Sequence, residues 1–146
     1  MPIYETNEDV ARQERMIKRF CEHFSYDYAP FPPKHKVDYA ILKPQRINGH
    51  WYKVVAGMVE VKTRSFPHKK YPTMMVNVGK VLYAKQFVDI GMKVVLLVGW
   101  TDAVGFISLT ADSFAAMGGR SDRGDQNDED VMMHFPIEDF TMIAHR

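Results

Sequence analysis

Asp38, Glu60 and Lys62 are the residues whose types and spacing could do chemistry. Two carboxylates brought together repel each other unless a cation sits between them. Hard oxygen donors of this kind suit Mg²⁺, which keeps several waters and completes its shell with substrate phosphate. An ammonium group at such a centre would stand beside the metal-bound water. The chemistry this combination could serve is metal-assisted hydrolysis of a phosphodiester.

For these groups to meet, the chain between them must fold back on itself. Val37 to Lys43 reads as a short strand and Trp51 to Lys62, WYKVVAGMVEVK, as a longer one. The turn signals Pro44, Asn48 and Gly49 between them predict an antiparallel hairpin with a loop longer than two residues. In a hairpin the start of the first strand lies beside the end of the second, which makes Asp38 and Glu60 neighbours. Side chains alternate along a strand. That predicts Tyr52, Val54, Ala56, Met58, Glu60 and Lys62 on one face, and Trp51, Lys53, Val55, Gly57, Val59 and Val61 on the other. Both faces are mainly apolar, as in a central strand. A charge buried there without a partner costs several kcal/mol, so Glu60 and Lys62 require a reason. A pair at the frayed strand end is the structural explanation, and for an isolated pair it is the commoner one. Asp38 turns the reading toward chemistry.

A helix is expected to run to about Phe24, with Asn7 or Thr6 as its N-cap and Glu8 and Asp9 in its first turn. Val10, Ile17, Cys21 and Phe24 form its apolar stripe, with Phe20 at the edge. Glu14 interrupts that stripe and either reaches the same cavity or curls to the margin, and Glu8 competes for the role. The prolines of SYDYAPFPPKHK predict a loop. Thr73 to Val78 reads as a strand, Gly79 to Ile90 as a helix stopped by Gly91, and Met92 to Trp100 as a strand covered on both faces. Val104 to Leu109 and Val131 to Phe135 are further strands. GGRSDRGDQNDED is a polar loop, and PIEDFTMIAHR a short tail. This order predicts one α/β domain over residues 1–146 with a central mixed sheet flanked by helices.

The 146 residues suffice for one domain that buries roughly two-thirds of its unfolded surface without disulfides. Cys21 is the single cysteine, which excludes an intramolecular disulfide and fits a reducing cytosol. No apolar run is long enough to span a membrane, and the N-terminus lacks the apolar region of a signal peptide. A cytoplasmic location is the expectation. A net charge of +1 supplies no whole-molecule attraction to nucleic acid. Phosphate binding must therefore come from local clusters, either Lys34, His35 and Lys36, or Arg64, His68, Lys69 and Lys70. The histidines lack the spacing of a zinc protease, and no Walker or G-x-G-x-x-G loop is present. Cys21 lies on the apolar stripe and reads as core, as do the dispersed methionines. Asp122, Asp125, Asp128 and Asp130 lack the terminal glutamate of a calcium loop.

An Asp at the head of one strand followed by Glu-X-Lys at the end of the next resembles the PD-(D/E)XK nuclease superfamily. The matching residues are Asp38 and Glu60-Val61-Lys62, within a pattern of helix, hairpin, helix and strand from about Asn7 to Leu109. Val37 stands where the motif has Pro. The phrases EVKTR, KKYPTMMVNVGK, VVLLVGWTDAVGF, GGRSDRGD and HFPIEDF are similar to small nuclease-like proteins of tailed bacteriophages. The resemblance implies a restriction-endonuclease-like core and, if phage-encoded, the host cytoplasm. It implies Mg²⁺ or Mn²⁺ held by Asp38, Glu60 and the Val61 carbonyl, with Lys62 as the catalytic ammonium and Glu14 as an acid donated by the first helix. DNA is the implied partner, with Arg64, Lys69, Lys70 and Lys80 as candidate phosphate contacts and Gln86 as a polar neighbour of the site. Two function classes follow: a metal-dependent deoxyribonuclease, or a non-catalytic nucleic-acid- or protein-binding module on the same fold. Oligomeric state stays open, a homodimer suiting an enzyme that must engage two strands.

Overall fold

The computed structural model describes residues 7–32, 37–119 and 129–145. Helix α1 runs Asn7–Phe24, with Glu8 and Asp9 at its positive end and His23 at its negative end, as the helix dipole favours. Ser25 ends it in the left-handed region, at φ 59. Its buried side is Met16, Ile17, Phe20 and Cys21. Val10 and Phe24, expected on the stripe, are exposed, and so is Glu14.

Six strands form a mixed sheet in the order β1-β2-β3-β5-β6-β9: β1 Asp27–Pro30, β2 Tyr39–Ile47, β3 His50–Thr63, β5 Lys93–Gly99, β6 Ala103–Ser108 and β9 Thr141–His145. Among the described strands, only β3 and β5 pair in parallel. A second, antiparallel sheet has the order β4-β8-β7, with β4 Thr73–Asn77, β7 Phe114–Gly119 and β8 Glu129–Pro136. α2, Val78–Lys85, follows β4.

The expected central mixed sheet flanked by helices is present. α1 lies on one face, packing Ile17 and Cys21 against Tyr39, Ile41, Val59, Val61 and Leu97. α2 and the small sheet cover the other, where Met74, Val81, Ala84 and Phe135 meet Met58, Leu96 and Val98. β5 is covered on both faces, which accounts for its nearly continuous apolar run. No helix among the described residues is long and apolar enough to cross a membrane.

Several expectations are corrected. Residues 27–30, read as loop, form the edge strand β1, and its Pro30 needs no ladder donor at the strand end. The β2–β3 hairpin closes through a two-residue turn, Asn48-Gly49, with φ 49 and 82. These are the left-handed angles of the turn that matches strand twist. Pro44 lies within β2, beyond the last residue that β1 pairs, where its missing N–H costs no bond to that strand. The helix expected through Ile90 stops at Lys85 and is followed by a 3₁₀ turn over Val88–Ile90, with Gly91 closing it at φ 74. The presumed tail supplies a 3₁₀ turn, Ile137–Asp139, and β9, which completes the main sheet against β6. The ends of the glycine-rich loop belong to β7 and β8. Asp122, Asp125 and Asp128, with Lys34, His35 and Lys36, lie outside the described residues.

β3 also contains a bulge. Ile41 pairs with Gly57 but Leu42 with Val55, leaving Ala56 unpaired. Opposed residues share a face, so the alternation expected along β3 holds from Gly57 to Lys62 and inverts from Val55 to His50. Trp51, Lys53 and Val55 therefore share the face of Glu60. The ion pair from Lys53 to Asp27, at 3.8 Å, fits this, since Asp27 is opposed to Leu42.

Gly57 sits where β3 meets β5, and a Cβ there would lie 2.8 Å from the Lys93 carbonyl oxygen. At Gly99 the three atoms nearest to a Cβ would all belong to the Met16 side chain, its sulfur at 2.6 Å. Gly57→Ala is expected to lower stability by roughly 2 kcal/mol, because backbone must move. Gly99→Ala should cost less than about 1 kcal/mol, because a methionine tip can turn. Urea unfolding of both variants checks the order.

Candidate active site

Glu60 is the one buried charged side chain among the described residues, 3% exposed. It is buried because β3 is central and Glu60 alternates with Met58 on the face covered by α2. Its carboxylate is offset by two ammonium groups. Lys62, two residues on along the same face, lies 3.2 Å from Oε1, and Lys80 of α2 lies 3.2 Å from Oε2. Lys80, a candidate phosphate contact by sequence, makes this ion pair with its side chain 30% exposed.

Asp38 immediately precedes β2 and is held by its own backbone. Its N–H donates to the Val59 carbonyl at 3.1 Å, and its carbonyl accepts from the Phe31 N–H at 2.9 Å. The side-chain Oδ2 accepts from the Val61 N–H at 2.7 Å. With Tyr39 opposite Val59 on the α1 side, alternation puts Asp38 on the face of Glu60. The Asp38 carboxyl is pushed up to about 6, first by burial and then by the charge of Glu60, against the Val61 hydrogen bond and the two lysines. The two acids thus share one field, as the hairpin predicted.

Whether these groups suit a divalent cation is a question of donor chemistry. Two carboxylates that repel, one of them pushed toward its protonated form, form a site where added positive charge is favourable. Among the described residues no cluster of three or more His, Cys, Asp and Glu side chains exists that could hold a metal. The donors fit an ion that keeps waters and takes substrate oxygens, as Mg²⁺ does, and do not form a closed cage.

The remaining candidates lie apart. Glu14 is exposed on α1, whose buried side covers the opposite face of the sheet, so the structure does not bring it to these acids. Glu8 is also exposed, in the first turn of α1. Arg64 is half-buried with Nη1 donating to the Thr63 carbonyl at 2.9 Å, and burial lowers its pKa. Lys69 borders a cavity of about 370 Å³ that His68, Tyr71 and Phe140 also line, away from the carboxylates. The Lys70 ammonium sits 5.5 Å over the rings of Phe66 and Tyr71. His68 anchors this loop, its Nδ1 2.8 Å from Asp102 Oδ2 and its N–H donating to Oδ1 at 2.9 Å. Gln86 is the exposed C-cap residue of α2. Cys21 is buried core, its thiol pushed up to about 11 by burial and then by Asp27.

Two features of the site escaped sequence reasoning. The Val61 N–H bond to Asp38 has no signature in residue types. Lys80 has one: it occupies the first turn of a helix capped by Asn77, with no acid in that turn. A cation there opposes the helix dipole, so a buried anion nearby is the expected compensation.

Comparison with known proteins adds the following. The family model described as "Phage putative PDDEXK endonuclease" matches residues 1–143. No curated protein matches the sequence. Among solved structures, Archaeoglobus fulgidus Hjc, a Holliday junction resolvase from an archaeal hyperthermophile, is similar at 14% identity and a TM-score of 0.45, the match covering 68% of this chain and 76% of that one.

The raised carboxyl of Asp38 has a sign. A folded pKa above the unfolded value means the folded state holds the proton more tightly, so this group costs stability as pH rises from about 4 through about 6. The cost above that range is on the order of 3 kcal/mol. Asp38→Asn should therefore be more stable than wild type in chelator at pH 8, with the gap closing by about pH 4. Thermal unfolding across that range measures it, and a gap independent of pH would refute the assignment.

Proposed function

The chain belongs to the phage PDDEXK endonuclease family, and from that premise we propose that it is a divalent-metal-dependent nuclease that hydrolyses phosphodiester bonds in DNA. The observation that supports this most is the buried Glu60 beside Asp38 on one face of the sheet, with Lys62 3.2 Å from its carboxylate. Asp38, Glu60 and the Val61 carbonyl, which lies on the same strand edge as the Val61 N–H, would hold Mg²⁺ or Mn²⁺. When bound, the cation supplies Lewis acidity at the phosphoryl group.

The chain's own residues do the rest. In hydrolysis a water oxygen forms a bond to phosphorus while a bridging P–O bond breaks, and the leaving oxygen takes up a proton. Lys62, about a third exposed and on the same face, orients that water or stabilises the charge that builds on the phosphoryl oxygens. Lys80 is a positioning residue: it holds Glu60 from α2 and keeps positive charge against it. Arg64, Lys69 and Lys70, on the segment that follows Glu-X-Lys, are candidates to fix register on phosphates and carry no base choice. Glu14 has no part in this reading. A non-catalytic module is the competing reading, and the two lysines already balancing Glu60 favour it.

Supercoiled plasmid and single-stranded DNA incubated with Mg²⁺ or Mn²⁺ separate the two. Wild type should cut, EDTA should stop it, and Lys62→Ala and Asp38→Ala should each lose roughly a hundredfold or more, in line with loss of a charge-stabilising group. Mn²⁺ should also raise the melting temperature of wild type and not of Asp38→Ala, by linkage. A wild type that cuts nothing, or variants that cut equally well, would favour the binding module.

A further inference from the structure

Beyond the last residue paired by β1 and before the first paired by β5, residues 43–56 of β2 and β3 pair, among the described residues, only with each other. They project from the sheet as a two-stranded arm closed by Asn48-Gly49. Its sequence, KPQRINGHWYKVVA, contains three lysines or arginines, a histidine and no acid, in a chain whose net charge is only +1. Trp51 is 69% exposed, and Tyr52, Ile47 and Val55 are exposed as well. Arg46 is directly opposed to Trp51 in the ladder next to the turn, which puts both side chains on one face of the arm.

We propose that this arm is a duplex-DNA-binding ribbon that enters the major groove away from the carboxylate site and holds the substrate along β3. The occupant follows from charge and size. An arm with cations and no anions complements phosphate, and the major groove is wide enough to admit a two-stranded β-ribbon. An exposed tryptophan beside an arginine supplies the apolar and bidentate contacts used on base edges. Direction follows from register: alternation along β2 puts Arg46 on the face of Asp38, and the bulge at Ala56 brings Trp51 and Lys53 of β3 onto that same face. Reach follows from strand geometry. Nine residues separate Trp51 from Glu60, roughly 30 Å at about 3.3 Å per residue. One turn of duplex is about 34 Å, so a duplex whose scissile phosphate lies at Glu60 offers the same groove again near the tip. Lys53 is already lightly paired with Asp27 at 3.8 Å, an exposed pair that phosphate can displace.

The inference rests on the nuclease reading for its substrate but is tested without cutting. Binding of a fluorescein-labelled duplex of about 30 base pairs is measured by anisotropy in EDTA for wild type, Arg46→Ala, Trp51→Ala, Lys43→Ala and Lys53→Ala. All four side chains are exposed, so melting temperatures should match wild type. Arg46→Ala and Trp51→Ala should each weaken binding about tenfold, and each lysine change should lower the salt slope by about 1. Trp100 is buried, so the duplex should change the emission of Trp51 and leave little change in Trp51→Ala. Duplexes shorter than roughly ten base pairs should bind wild type no better than they bind Trp51→Ala. Equal affinities across the variants overturn the proposal, as does a wild type that does not bind duplex, or an arm whose variants dissociate a homodimer without changing DNA affinity. If wild type cuts and the arm variants bind and cut equally well, the arm fails and the nuclease reading stands. If the variants lose duplex and wild type cuts nothing with Mn²⁺, the arm stands and the nuclease reading fails.

Discussion

The burial of the Glu60 carboxylate is the constraint around which this end of the molecule is built. An ion withdrawn from water in a central strand carries a penalty of several kcal/mol unless opposite charge reaches it. Two groups do so from different elements, Lys62 from the same strand and Lys80 from α2. The second ties the helix to the sheet electrostatically as well as through Val81 and Ala84. Lys80 stands in the first turn of α2, where the helix dipole disfavours a cation. That local cost is tolerated because the anion beneath it needs charge. Asp38 adds a second acid to the same field, its carboxyl raised first by burial and then by the charge of Glu60.

Rigidity of the site comes from backbone pairing. Asp38 is fixed by hydrogen bonds through its N–H, its carbonyl and its side chain, to Val59, Phe31 and Val61. The Phe31 contact follows directly from β1, an edge strand of four residues. Side chains on strands are held more accurately than side chains on loops, and here a short strand continues the ladder to Asp38. One unpaired residue, Ala56, decides which side of the hairpin the distal half of β3 presents.

The near-neutral chain sorts its cations by location. Lys62 and Lys80 neutralise Glu60, Arg64 is half-buried against a backbone carbonyl, and the Lys70 ammonium lies over two rings. The β2–β3 arm instead carries its cations outward with no acid between them. A whole-molecule charge near zero therefore coexists with a locally positive projection.

Local pattern alone determined much of this. Alternation and turn residues put Asp38 at the head of one strand and Glu60-X-Lys62 at the end of its partner, and a hairpin has to bring those ends together. The continuous apolar run of β5 required cover on both faces, and the stop at Gly91 required a residue tolerant of positive φ. What the sequence could not decide depends on partners remote in the chain. β1 and β9 are short and proline-flanked or weakly patterned, and they are strands because a neighbour offers unpaired backbone groups. Glu14 lies near the apolar stripe by periodicity, yet whether a helix position is buried depends on where the sheet ends beneath it. The bulge that inverts the arm and the approach of Lys80 to Glu60 arise from register and from the docking of α2. Those are set by packing between elements, and a periodicity of 2 or 3.6 residues carries no information about it.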